Sequence, residues 1–192
     1  MPLIDYLAYE DAPEHVRDAL EGSAYAESED RHLFYELLSN ADAVLPARAA
    51  YFRTLLRDGA VPKREKELAY FAVAAVTDTR FVAATHGRYL VDEHGHDPAA
   101  VASIARGDLG TLDARDRAVV SFAATVANDP DAVTEATVDA LRDAGYDDGQ
   151  VVELLLLTCD AQSATSIVTA MDLSLADRGE TEPAFLPDAF DL

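Results

Sequence analysis

The sequence predicts an all-α protein. Apolar residues recur at helical spacing along most of the chain, Asp, Thr, Pro and Gly bracket those runs as caps and stops, and almost no period-2 strand alternation occurs. Each element then follows from its own signals. "APEHVRDALEGSAY" starts a helix near Pro13, with Val16, Ala19 and Leu20 as a short apolar stripe. "DRHLFYELLSNADAVLPARAAYFRTLLRDG" reads as two helices broken at Asn40–Ala43; Pro46 lies early in the second and Gly59 ends it. Pro62 opens a helix through about Val76, with Leu68, Phe71, Ala72 and Ala75 at core spacing.

After a break at Thr77-Asp78-Thr79, the next helix is predicted from about Thr79 to Glu93, stopping at Gly95. A short one follows from Asp97-Pro98 to Gly107, and another from the N-cap Asp113 to the stop at Asn128-Asp129-Pro130. Thr134 caps a helix ending at Gly145. The longest helix is capped at Asp147 or Asp148, ends by Gly179, and is apolar nearly all round, which predicts burial, including between subunits. The tail "ETEPAFLPDAFDL" carries Phe185, Leu186, Phe190 and Leu192, apolar groups that a free tail would not need, so docking on a neighbour is expected. The longest linker-like connection lies around Ser23 to Asp30.

A chain of 192 residues can bury a full core. Its 36 acidic against 15 basic residues give a formal net charge of -21, which opposes nucleic acid and anionic membrane surfaces as partners. Lys63 and Lys66 are the only lysines, the remaining basic residues are arginines, and Trp is absent. That pattern predicts adaptation to a salty cytoplasm, where screening suppresses self-repulsion. With one cysteine, Cys159, no intrachain disulfide forms. No signal peptide and no run of about 18 apolar residues is read, so a soluble cytoplasmic protein is expected.

Chemistry concentrates in "KELAYFAVAAVTDTRFVAATHGRYL". The short turn makes its two helices an antiparallel hairpin. Thr79, Val82, His86 and Tyr89 share one face of the second helix; Glu67, Tyr70 or Phe71, and Ala74 share a face of the first. Counted from the turn at a 1.5 Å rise, Glu67 lies about 16 Å and His86 about 12 Å along. A glutamate side chain spans the difference, so a Glu67–His86 hydrogen bond is expected.

The spacing of Glu67, Thr79, Val82 and His86 resembles the E-x11-C-x2-C-x3-H pattern of the alkyl hydroperoxidase D-like and carboxymuconolactone decarboxylase superfamily, with Thr79 and Val82 in place of its two cysteines. The lead-in "IDYLAYEDAPEHVRDAL" and the block from Asp113 to Leu157 resemble the same family, so the resemblance extends from about Ile4 to about Leu175. It implies an alkyl hydroperoxidase D-like helical bundle forming homotrimers or homohexamers. It also implies one domain over 1–192, with an N-terminal helical extension (1–60), a core (61–175) and an acidic-apolar tail (180–192). Redox members of the family reduce peroxides with the cysteine pair; decarboxylase members use acid/base groups on a lactone carboxylic acid.

The substitutions decide between those chemistries. A threonine hydroxyl is too weak an acid to replace a thiolate, and valine has no heteroatom, so the two-cysteine route is lost. Cys159 in "LLLLTCDAQ" is expected as inert core, or at most as a lone thiol in an intermolecular scheme. Glu67 and His86 are the candidate catalytic pair, Glu67 fixing the imidazole tautomer and His86 transferring a proton. Thr79, Val82 and Tyr70 are candidate substrate-binding residues, with Arg88 or Arg80 as possible carboxylate holders.

The favoured function is therefore a cysteine-independent decarboxylase- or isomerase-like enzyme acting on a small organic acid or lactone, without cofactor. Two alternatives stand beside it: a peroxide-linked oxidoreductase using a lone thiol, and a non-catalytic oligomeric protein whose Glu–His pair is purely structural. His94, His96, Asp92, Glu93 and Asp97 in "DEHGHD" could attract a transition metal, but a helix-end role is favoured and no metal is expected. His15 and His32 read as surface or interface residues. No nucleotide-binding motif occurs.

Overall fold

The computed structural model describes residues 2–21 and 33–192. Among them there is no strand. The helices are α1 (Glu14–Glu21), α2 (Leu33–Leu38), α3 (Leu45–Arg53), α4 (Lys63–Val76), α5 (Arg80–Arg88), α6 (Pro98–Ala105), α7 (Ala114–Asn128), α8 (Glu135–Asp143) and α9 (Asp148–Ala170). The connection around Ser23 to Asp30 and the residue His32 lie outside the described residues. His15 is exposed, as its acidic surroundings predict.

α4 is the central rod, and α5, α7 and α9 pack around it. Its stretch from Leu68 to Ala75 is buried throughout, with Leu68, Phe71, Ala72 and Val73 fully so. Small Ala side chains on α4 let these neighbours approach, while Phe71, Leu68, Leu154 and Leu157 fill the space between them. A second, smaller core joins Ala12, Val16, Leu20, Tyr35 and Leu45 from the N-terminal helices.

The caps fall where the sequence places them. Asp97, Asp113 and Asp147 accept from Ala99 N, Asp116 N and Gln150 N, each at 2.8 Å, and Thr134 pairs with Thr137. At the α4–α5 break Asp78 takes φ +48°, a left-handed conformation that Asp tolerates better than most residues.

Three expectations need correction. The longest helix ends at Ala170 and not near Gly179. Asp172 adopts φ +56°, and the Leu173 and Asp172 amides donate back to Val168 O and Thr169 O; this is a Schellman closure built on Asp rather than Gly. The predicted helices 46–59 and 79–93 each finish as a π-helical turn, Thr54–Asp58 and Tyr89–Glu93, a geometry that apolar periodicity does not reveal. The tail folds onto its own chain. Leu186 is buried, Phe185 lies against Gly87, and Asp191 N donates to Ala105 O at 2.8 Å.

Where the tail passes α6, only glycine fits. Gly107 has φ +73°, and a Cβ there would stand 2.4 Å from Asp191 O. Gly107→Ala is expected to destabilise by about 1–2 kcal/mol from the left-handed backbone alone. That lowers Tm by roughly 2–8 °C, with early loss of hydrogen-exchange protection at Asp191 N.

A buried lysine ties the core helices together. Lys66, 1% exposed, donates to Leu55 O at 2.6 Å and pairs with Glu153 of α9 at 2.7 Å. Glu153 also accepts from Ala60 N and Val61 N at 2.7 and 3.2 Å. By length and composition α9 could cross a membrane, a property it shares with core helices of globular bundles; half of that stretch is buried here. Its outward face exposes Val152, Leu155 and Leu156 together with Cys159, so the thiol is a surface group and not the core filler expected from its apolar neighbours.

Candidate active site

The α4–α5 hairpin brings Glu67 and His86 together as their offset predicts: His86 Nδ1 lies 2.5 Å from Glu67 Oε2. Glu67 is fully buried and His86 is 8% exposed. A carboxylate only accepts, so Nδ1 carries the proton of this bond, and in the neutral ring Nε2 is then the acceptor. Among the described residues the other carboxylate oxygen, Oε1, is buried without a hydrogen-bond partner.

His86 is held by aromatic rings on two sides. Tyr70 stacks on it at 4.3 Å and 21°, and Tyr89 meets it edge-on at 6.0 Å. The series continues through Phe52, Tyr35 and Phe34. The Tyr70 hydroxyl donates to Asp160 Oδ2, and Arg48 Nη1 donates to Asp160 Oδ1 at 2.9 Å. Burial, with Asp160 beside it, holds the Tyr70 phenol well above its ordinary value of 10.0, so Tyr70 remains a donor.

These groups wall a cavity of about 90 Å³. Tyr70, Val82 and His86 line it, together with Arg48, Phe52 and Tyr89. Thr79 stands apart from this wall: its hydroxyl lies 3.0 Å from Thr77 Oγ1 at the turn. The two arginines proposed as carboxylate holders are committed to the tail. Arg80 pairs with Glu182 and Arg88 with Glu180, both at 2.5 Å. Cys159 is not among the lining residues.

Sequence reasoning missed Arg48 and Asp160, and the signal for each was a polar residue on an apolar stripe. Arg48 follows Leu45 by three on the face that buries Leu45 and Ala49. Asp160 lies between Leu157 and Ala164 on the inward face of α9. The histidine cluster gathers no metal set: among the described residues no group of three or more His, Cys, Asp or Glu is placed to hold an ion. His96 Nε2 instead lies 3.2 Å from the Arg64 guanidinium; burial, reinforced by that cation, lowers the imidazole below its ordinary value.

The phenols set an alkaline limit on stability. Burial raises Tyr35, Tyr70 and Tyr146, and pushes Tyr6 up to about 12. Above pH 10 the unfolded chain releases these protons while the folded chain keeps them, so the unfolded state gains. Tm is expected to hold with respect to these groups up to about pH 9 and to fall as pH rises beyond 10, followed by circular dichroism.

The architecture is that of the alkyl hydroperoxidase D-like helical proteins, with a buried Glu–His pair on its central hairpin. It resembles an alkylhydroperoxidase AhpD core, a peroxidase-related protein from Ralstonia eutropha JMP134, with TM-score 0.79, 20% identity, and coverage of 90% of this chain and 91% of that one. A peroxidase-related protein from Silicibacter sp. TM1040 is similar at TM-score 0.73 and 18% identity, over 98% of this chain and 95% of that one. No protein-family model and no curated protein matches the chain.

Proposed function

We propose that this chain is a cysteine-independent acid/base enzyme of the carboxymuconolactone decarboxylase-like kind, acting on a small organic acid or lactone. One observation carries the reading: His86 forms part of a cavity wall with Glu67 buried directly behind it. A purely structural pair would have both carboxylate oxygens satisfied, whereas Oε1 lacks a partner among the described residues, at a cost of about 1–3 kcal/mol.

In the proposed step Nε2 takes a proton from carbon beside the substrate carbonyl. The C–H bond breaks, an N–H bond forms, and the electron pair passes to the carbonyl oxygen as an enolate. Glu67 stabilises the resulting imidazolium through Nδ1–H. Protonation at a different carbon gives isomerisation. If His86 instead starts as the imidazolium, the C–C bond to a carboxylate beside the carbonyl's α-carbon can break: CO2 leaves, the electron pair passes to the carbonyl oxygen as an enolate, and the imidazolium returns its proton to carbon. Tyr70 and Val82 bound the substrate.

The names of the two similar structures favour a second reading, a peroxide-linked oxidoreductase of the alkyl hydroperoxidase D type. Its thiolate would take one peroxide oxygen, leaving an alcohol and a sulfenate; one external thiol would convert this to a mixed disulfide with release of water, and a second would free the cysteine as the external disulfide departs. Cys159 is the sole thiol for that route.

One experiment separates the two. Small unsaturated lactones and lactone carboxylic acids are incubated in D2O at high salt, and carbon-bound deuterium is read by NMR. In parallel, thiol-dependent consumption of an organic hydroperoxide is measured. Deuterium incorporation lost in His86→Ala and retained in Cys159→Ser supports acid/base catalysis; peroxide turnover lost in Cys159→Ser and no deuterium incorporation replaces it. The exposed Val152, Leu155 and Leu156 support self-association through α9; a homotrimer or homohexamer in the cytoplasm is part of the same proposal.

A further inference from the structure

The cavity beside His86 carries a single fixed cation among its lining residues, Arg48. It is only partly exposed, with 22% of its side chain reaching solvent, and its Cζ lies 5.8 Å from the Phe34 ring centroid. One nitrogen, Nη1, donates to Asp160 Oδ1 at 2.9 Å. Among the described residues its guanidinium has no other hydrogen-bond acceptor, so several of its five N–H donors stay available. Asp160 and Tyr70 brace it from behind: Asp160 holds Arg48 with one oxygen and the Tyr70 hydroxyl with the other, and Tyr70 stacks on His86. Arg48 and His86 thus share one wall system through Asp160 and Tyr70. The rest of the lining is mainly aromatic and aliphatic.

We infer that Arg48 is the carboxylate anchor of this site, and that the ligand is a short-chain monocarboxylate whose flat apolar body lies among Phe52, Tyr70 and Tyr89, towards His86. The substrate's orientation towards Nε2 rests on the acid/base reading above; the anchor itself does not. Charge selects the head group: Arg48 offers planar paired donors, the geometry that matches a carboxylate. Size selects the body: about 90 Å³ is well below the ~150 Å³ that accepts benzene in a closed apolar cavity. The net charge of -21 repels anions at long range, so a local cation is what allows an acid to settle here. High salt screens that long-range repulsion more than the contact inside the cavity.

The test is equilibrium binding of crotonate and its neutral isostere crotonamide to the full chain at high salt, by ligand-observed NMR. Wild type is expected to bind crotonate at least about tenfold more tightly than crotonamide. Arg48→Met should abolish that preference, and Arg48→Lys should restore part of it. Because Arg48→Met leaves the Asp160 carboxylate buried without its cation, the double variant Arg48→Met/Asp160→Asn is measured alongside, with folding checked by circular dichroism. Equal affinity for the two ligands in wild type, no binding of either, or an undiminished preference in a folded Arg48→Met or double variant would overturn the anchor. Crotonate binding that survives in His86→Ala, with no deuterium exchange in any variant, would leave the anchor standing and remove the proton-transfer reading. Exchange of a neutral lactone without carboxylate preference would do the reverse.

Discussion

His86→Ala is expected to lower deuterium incorporation by about 10²–10⁴-fold, the usual contribution of a positioned general base. The ring sits on the cavity wall with Nδ1 fixed at 2.5 Å by Glu67, so removing it deletes both the base and the acid that returns the proton. Glu67→Gln is the finer probe. The amide still fills the space and can accept from Nδ1–H, but it no longer neutralises an imidazolium. A charged hydrogen bond of about 1.5–3 kcal/mol corresponds to roughly 10–150-fold in rate. His86→Ala should therefore be the more damaging of the two, with kcat falling and the affinity for a bound acid little changed. Equal rates in wild type and His86→Ala would remove His86 from the chemistry. A fall in stability without a kinetic effect would return the pair to a structural role.

Glu153→Ala should produce the largest loss of stability, about 3–5 kcal/mol. The substitution leaves Lys66 buried with a lone carbonyl partner and strips the acceptor from Ala60 N and Val61 N. At about 2–4 °C per kcal/mol for a chain of this size, Tm should fall by roughly 6–20 °C in a thermal melt. The contrast is Lys63–Glu93, at 2.8 Å close to the 2.7 Å of Lys66–Glu153 but 40% and 45% exposed at its two side chains. Glu93→Ala should move stability by less than about 1 kcal/mol, because water already solvates both charges. A similar Tm for the two variants would show that burial does not set the value of these pairs.

The hairpin was legible because it is local. Glu67 and His86 lie on adjacent helices joined by a short turn, so residue counting at fixed rise places them within reach of each other. Caps at Asp113, Thr134 and Asp147 were legible for the same reason, since each concerns a few consecutive residues. The other walls of the cavity come from α2, α3 and α9, and no local spacing reports which distant helix will face His86. Arg48 and Asp160 are 112 positions apart, yet their ion pair organises the site. Arg80 and Arg88 lay closer in sequence to His86, but the tail's acids satisfy them from the other side. Thr79 shows the limit of face counting. It has the expected helical phase, but as the N-cap position of α5 its hydroxyl is drawn into the turn. Cys159 shows another: α9 is apolar on faces that are covered and uncovered alike, so hydropathy does not tell which one holds the thiol.

The burial of Lys66 also determines how the molecule responds to covalent reagents. With two lysines in the chain and one enclosed, a reagent selective for ε-amines meets a single accessible target, Lys63 at the start of α4. Coupling a dye or a solid support there would give folded molecules a nearly uniform attachment point. Delayed acylation of Lys66 would then report the opening of the contact between α4 and α9 at Glu153.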